Sequence, residues 1–223
     1  MIPPHQLVTD HTVLSVVVGS RAYGLADSDS DFDRRGVYAA PTSSWWGFDK
    51  PPTHVDGPDP ERFSWELERF LGLALAANPT VLECLWSPIV EHCDTIGEEL
   101  RALRGRLVSR EVYRTFLGYA NSQVDRLSTA MTARDWKQTM HMLRLLISAR
   151  HFLATGEPLV NVAAYRDKLL AVRHGEVPWA TVQRWRDELA AAAEAARSAT
   201  RLPARPDRAA AERLLIEVRR IRL

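Results

Sequence analysis

Four aspartates stand at alternate positions in one short stretch, Asp27, Asp29, Asp31 and Asp33, a few residues beyond a Gly19–Ser20 pair. Carboxylates this close repel one another and raise each other's pKa, so the cluster is costly unless it is solvated or holds cations. Three chemistries compete. The plainest is a solvated acidic turn. The second is an EF-hand-like calcium loop, whose first three ligand positions fit Asp27, Asp29 and Asp31. It is excluded because Phe32 stands where the sharp turn requires glycine, and Tyr38 where a bidentate glutamate closes the shell. The third is a two-metal phosphoryl-transfer site. Residues two apart on a strand share a face, so Asp31 and Asp33 can present two carboxylates to a pair of Mg²⁺ ions. Magnesium takes oxygen ligands and keeps several waters, so two or three carboxylates with substrate phosphates suffice. Gly19 lets backbone approach a phosphate without a Cβ clash. Ser20 offers a hydroxyl and an amide, and a helix starting there would aim its positive end at an anion.

A second set of candidates lies far downstream. Lys137, His141, Arg144 and Ser148 form one polar stripe on a helix whose remaining surface, Met142, Leu145, Leu146, Ala149, Phe152 and Leu153, is largely apolar. A basic stripe on a buried helix needs an anion. Facing Gly19–Ser20, Lys137 and Arg144 would neutralise a bound phosphate; the alternative is an internal salt bridge with acidic neighbours. Arg21 follows the Gly–Ser pair and can touch phosphate, whereas Arg34 and Arg35 can pair with the aspartates. Trp45 and Trp46 can stack a base or pack under a loop.

These residues need elements to hold them. The β-branched run Val13–Val18 stopping at Gly19 reads as a buried strand, and Asp31–Tyr38 as a second strand with a bulge at Gly36. Residues 47–60, with four prolines and two glycines, read as an irregular loop. Leu67, Phe70, Leu71, Ala74 and Leu75 mark an amphipathic helix stopped by Asn78–Pro79, with Thr80 capping the next. Beyond about residue 106 strand signals vanish. Helices are marked by Val112, Phe116, Tyr119 and Leu127; by Trp136, Met140, Leu143 and Ile147; by Trp179, Val182, Trp185 and Leu189; and by Leu214, Val218 and Ile221. The expectation is an α+β fold, a small mixed sheet flanked by helices over residues 1–105, followed by an all-helical part over 106–223.

Composition narrows the function. A net charge of +1 excludes a global field toward nucleic acid or membrane, so any nucleic-acid contact must be local. Arg-rich segments 101–114 and 201–220 are where such a surface would lie. Two cysteines, Cys84 and Cys93, make neither a disulfide scaffold nor a zinc site. With no signal-peptide pattern and no long apolar run, a cytoplasmic protein without membrane partners is expected. Phosphate-loop, metalloprotease and nucleophile-elbow motifs are absent; Leu25 stands where a phosphate loop beginning at Gly19 would need lysine.

The Gly19–Ser20 pair, ten intervening residues and Asp31–Phe32–Asp33 resemble the signature of the DNA polymerase beta-like nucleotidyltransferase superfamily. The longer run from Gly19 to Val37 (GSRAYGLADSDSDFDRRGV), with Asn78–Pro88 (NPTVLECLWSP) and Lys137–His141–Arg144, resembles its RlaP-type branch, associated with RNA repair. The resemblance implies a palm-like sheet and transfer of a nucleoside monophosphate from an NTP, with two Mg²⁺ ions and release of pyrophosphate. It implies metal binding by Asp31 and Asp33, and nucleotide binding by Gly19, Ser20, Arg21, Lys137, His141 and Arg144. It also implies a third catalytic, metal-binding carboxylate on a later strand, for which Glu61 stands first and Asp59 and Glu66 behind it. The implied acceptor is an RNA end. A protein hydroxyl or an aminoglycoside-like molecule stands as the alternative acceptor, and an inactive nucleotide-binding module as the alternative to an enzyme.

Overall fold

The computed structural model describes residues 2–124 and 131–223. It begins with helix α1 (Pro4–His11), strand β1 (Thr12–Val17), the short helix α2 (Gly19–Tyr23), and strands β2 (Arg34–Tyr38), β3 (His54–Asp56) and β4 (Arg62–Glu66). Helices α3 (Leu67–Leu75) and α4 (Pro79–Leu85), strand β5 (Ile89–Cys93) and helix α5 (Thr95–Leu103) complete this part. The rest of the described chain is helical: α6 (Val112–Val124), α7 (Ala133–Thr155), α8 (Arg166–Arg173), α9 (Trp179–Ala199) and α10 (Arg208–Ile221). A mixed five-stranded sheet with helices therefore precedes an all-helical region, as the patterning requires. The helix mark at Leu127 lies outside the described residues.

The strand order is β3-β4-β2-β1-β5. Strand β1 is antiparallel to both β2 and β5, while β2 and β4 run parallel. Gly36 sits in regular register between Ser15 and Ser64, so the expected bulge is not there. The register slips instead between Thr12 and Leu14. Gly36 serves packing: a Cβ on it would meet the Ser64 hydroxyl at 2.6 Å. Asn78, rather than Thr80, caps α4: its side chain accepts from the Val81 amide, and Pro79 takes the first turn, where no amide is needed. Helix α7 opens on a Thr132–Asp135 capping box and ends at Gly156 with φ 88°.

One apolar core runs from Val13, Val16 and Phe70 beside the sheet through Leu82 and Leu85 to Phe116, Leu143, Ile147 and Phe152 of the helices. Helix α10 returns to the sheet's far edge, where Arg219 pairs with Glu66 at 2.9 Å and the Arg222 carbonyl accepts from the Thr42 amide. Trp45 lies under Arg219, 4.4 Å from ring centroid to guanidinium carbon, while Trp46 is exposed. Among the described residues no helix is long and apolar enough to cross a membrane.

Candidate active site

The antiparallel pairing of β1 with β2 explains why the two halves of the sequence motif meet. Val17 stands opposite Arg34, so the residues after β1 and those before β2 lie at one end of the sheet. The Val18 amide donates to the Asp33 carbonyl at 2.8 Å, and Gly19 turns away with φ 69°. A Cβ on Gly19 would fall 2.1 Å from Asp33 Oδ2, so glycine is needed for both its dihedral and its emptiness. Asp31 and Asp33 sit in the extended lead-in to β2, not within the strand as the pattern suggested.

A cavity of about 240 Å³ opens at this end. Gly19, Ser20, Asp31 and Asp33 line it, joined by Tyr23, Asp27 and Asp29, and on the other side by Lys137 and His141 of α7 and Arg173 of α8. Eight of the residues singled out from sequence thus surround one space, although they come from two stretches about a hundred residues apart. Arg173 carried no sequence signal. It arrives because α8 packs against the acidic turn: Arg166 donates to the Gly24 and Ala26 carbonyls at 2.6 and 2.8 Å, and the Val162 amide to the Tyr23 carbonyl at 2.9 Å. The Arg173 guanidinium stands 3.9 Å from Asp27. The Ser30 hydroxyl, and behind it Arg173, hold the Asp27 carboxyl below its usual range. Burial, followed by the charges of Arg144, Lys137 and Arg173, pushes His141 down to about 3, so it is a neutral imidazole at physiological pH.

Other candidates lie elsewhere. Arg21 donates to the Ser30 carbonyl at 2.6 Å and lies over the Phe32 ring at 3.7 Å, shaping the turn from outside the cavity. Arg34 pairs with Glu91 at 3.0 Å, and Arg35 approaches Asp33 at 4.0 Å. Arg144 does not reach the space. It is buried against Glu83 at 2.6 Å, with its guanidinium 3.7 Å over the Tyr23 ring, and Tyr23 donates to the same Glu83 at 2.8 Å. The anion this arginine requires is internal, and the trio ties α2, α4 and α7 together beneath the cavity floor.

The third carboxylate has a place but not a line of sight. Arg34 pairs with Arg62 across parallel strands, and the Arg34 amide donates to the Glu61 carbonyl at 2.8 Å, so Glu61 is the sheet neighbour of Asp33. Its φ is 58°, its side chain is exposed, and it does not line the cavity. Asp59 is held by Arg62 at 2.9 Å and Glu66 by Arg219. Among the described residues no group of three or more His, Cys, Asp or Glu forms a metal cage. Asp31 and Asp33 are an all-oxygen donor pair beside an opening that a glycine keeps clear. That chemistry fits magnesium completed by water and phosphate oxygens.

A protein of Bacillus subtilis (strain 168), the uncharacterized YcgL, is 34% identical over 96 residues, which cover 41% of this chain and 37% of that protein. The similarity therefore spans little more than a third of the relative's length. No solved structure matches. The family model of RlaP, the RNA repair pathway DNA polymerase beta family, matches residues 5–217, nearly the whole chain. The chain belongs to the RlaP family of DNA polymerase beta-like nucleotidyltransferases linked to RNA repair.

Proposed function

We propose that the protein transfers a nucleoside monophosphate from an NTP to the hydroxyl of an RNA end and releases pyrophosphate. The observation that carries this reading is the single cavity in which Gly19, Ser20, Asp31 and Asp33 face Lys137 and Arg173. Bond making is in line: the acceptor oxygen joins the α-phosphorus as its bond to the β-phosphate oxygen breaks. Ser20 donates to a phosphate oxygen, and the open Cα of Gly19 lets that phosphate come close. Lys137 and Arg173 balance the charge that gathers on pyrophosphate. Neutral His141 offers a hydrogen bond to substrate without adding a fourth cation beside Lys137, Arg144 and Arg173. Asp31 and Asp33 would hold two magnesium ions, which when bound activate the acceptor hydroxyl and steady the leaving group. In this reading the hydroxyl proton passes to water in the open cavity, because Glu61, next to Asp33 across the strand pair, lies outside its lining.

The test is transfer of label from each α-³²P NTP to RNA with Mg²⁺, comparing wild type with the Asp31→Asn/Asp33→Asn variant. Labelled RNA lost at least about 10³-fold in the variant is the expected result and would also name the nucleotide. A second reading, a nucleotide-binding module without transfer, has one observation in its favour: Glu61, Asp59 and Glu66 all lie off the cavity. Mg²⁺-dependent NTP binding by calorimetry with no label on RNA, protein or aminoglycoside would select it. Label on protein or drug alone would replace the acceptor.

A further inference from the structure

Two arginine-rich segments almost a hundred residues apart are sewn into one surface. The Arg110 amide donates to the Pro203 carbonyl at 2.9 Å, the Asp207 amide to the Arg106 carbonyl at 2.8 Å, and Arg110 Nε to the Leu202 carbonyl at 3.0 Å. Segments 101–114 and 197–208 together hold nine arginines and two carboxylates, a net +7 in a chain whose total is +1. Some of these cations are anchored. Arg106 pairs with Asp207, Arg197 lies over Tyr113 at 4.7 Å, and Arg104 over Trp86 at 5.1 Å. Arg201, Arg205 and Arg208 are exposed and make no ion pair among the described residues. Arg201 and Arg205 sit on a linker stiffened by Pro203 and Pro206, and Arg208 opens α10, so their spacing is largely set before a partner arrives.

This surface is not beside the cavity, where the sequence alone would have put it. Trp86 packs on Phe152 at 6.0 Å, and Phe152 lies fifteen residues along α7 from Lys137, about 22 Å at the helical rise. Helix α9 gives a second measure. It starts with Trp179 against Trp136, at 6.3 Å, and reaches the seam after 21 residues, about 31 Å.

We propose that this arginine seam is the docking surface for the body of an RNA acceptor whose reacting end occupies the remote cavity. The proposal rests on the RNA-acceptor reading above. A membrane fits the surface less well, because none of the exposed large hydrophobics (Phe32, Trp46, Phe48, Tyr119, Ile216, Ile221 and Leu223) belongs to either segment, leaving nothing to insert. An acidic protein would want an apolar centre, and the seam offers none. A phosphate backbone asks only for spaced cations, and arginine forks match its oxygens. The separation sets a minimum partner. At about 3.4 Å per base pair, less in an A-form helix, spanning it takes about seven or more base pairs.

The experiment is fluorescence anisotropy of an RNA hairpin with a stem of about 12 base pairs. Wild type is compared with Arg201→Glu/Arg205→Glu/Arg208→Glu, and NTP binding is followed by calorimetry on both. The variant is expected to bind at least about tenfold more weakly at roughly 0.1 M salt, with a log–log salt slope shallower by about 2–3. NTP affinity should not change. A trinucleotide should bind both proteins equally poorly. Equal hairpin affinity and slope in the two proteins overturns the seam and leaves nucleotidyl transfer standing. Wild-type binding of phosphatidylserine vesicles or polyglutamate as tight as that of the hairpin also overturns it. Absence of hairpin binding by wild type removes the seam and the RNA acceptor together, while NTP affinity still reports on the cavity.

Discussion

Lys137 and Arg144 lie two turns apart on the same stripe of α7, and the fold gives them opposite work. Arg144 is buried with its charge answered by Glu83 and its flat face on Tyr23. Lys137 is exposed on the rim of the cavity and makes no ion pair among the described residues. A cation answered internally holds elements together; a cation left unanswered at the mouth of a pocket is available to a ligand. The acidic side divides the same way. Glu66 and Glu83 are buried in pairs, whereas Asp31 and Asp33 face open space.

The sharpest way to break this contrast is Glu83→Ala. It strands a buried guanidinium and should destabilise the fold by about 3–5 kcal/mol. A drop in thermal midpoint shows this, and its absence would mean that Arg144 is not structural. Gly19→Ala comes next. The added Cβ must displace the Asp33 carboxylate, and a shift of that size should lower transfer about 100-fold. NTP binding and thermal midpoint would show whether the damage stays local. Lys137→Ala and Arg173→Ala should each raise KM for NTP about tenfold with an unchanged thermal midpoint. A loss of stability with no change in KM would move either residue into the structural class.

The effect that is smallest at neutral pH concerns His141. Its pKa is lowered on folding from 6.5 to about 3, so the neutral form is favoured by the fold. That stability is complete above pH 6.5 and is lost as pH falls from there toward 3, at about 1.4 kcal/mol per unit. His141→Asn should therefore flatten the acid limb of a pH–stability curve, and identical limbs would refute the assignment.

What could be read beforehand follows from how local each feature is. Gly19–Ser20 and Asp31–Phe32–Asp33 were legible because one antiparallel pair carries both, and the helices because their periodicity is internal. Arg173 was not legible, since its arrival depends on Arg166 reaching the carbonyls of Gly24 and Ala26, more than a hundred residues upstream. The stripe on α7 named Arg144 but could not say that Glu83, 61 residues earlier, would claim it. The slip at Thr12–Leu14 is a pairing irregularity with no glycine to announce it, whereas Gly36, which looked like one, only makes room for Ser64.

The grip of Arg166 on the acidic turn bears on how this chain can be cut and recombined. The aspartates are written in the first part of the chain, but the bend that presents them is braced from α8. Exchange of the two parts between distant homologues at the tempting boundary near residue 105 would deliver the carboxylates without their brace. A chimera that keeps the bend of this chain would therefore have to take the turn and α8 from the same parent.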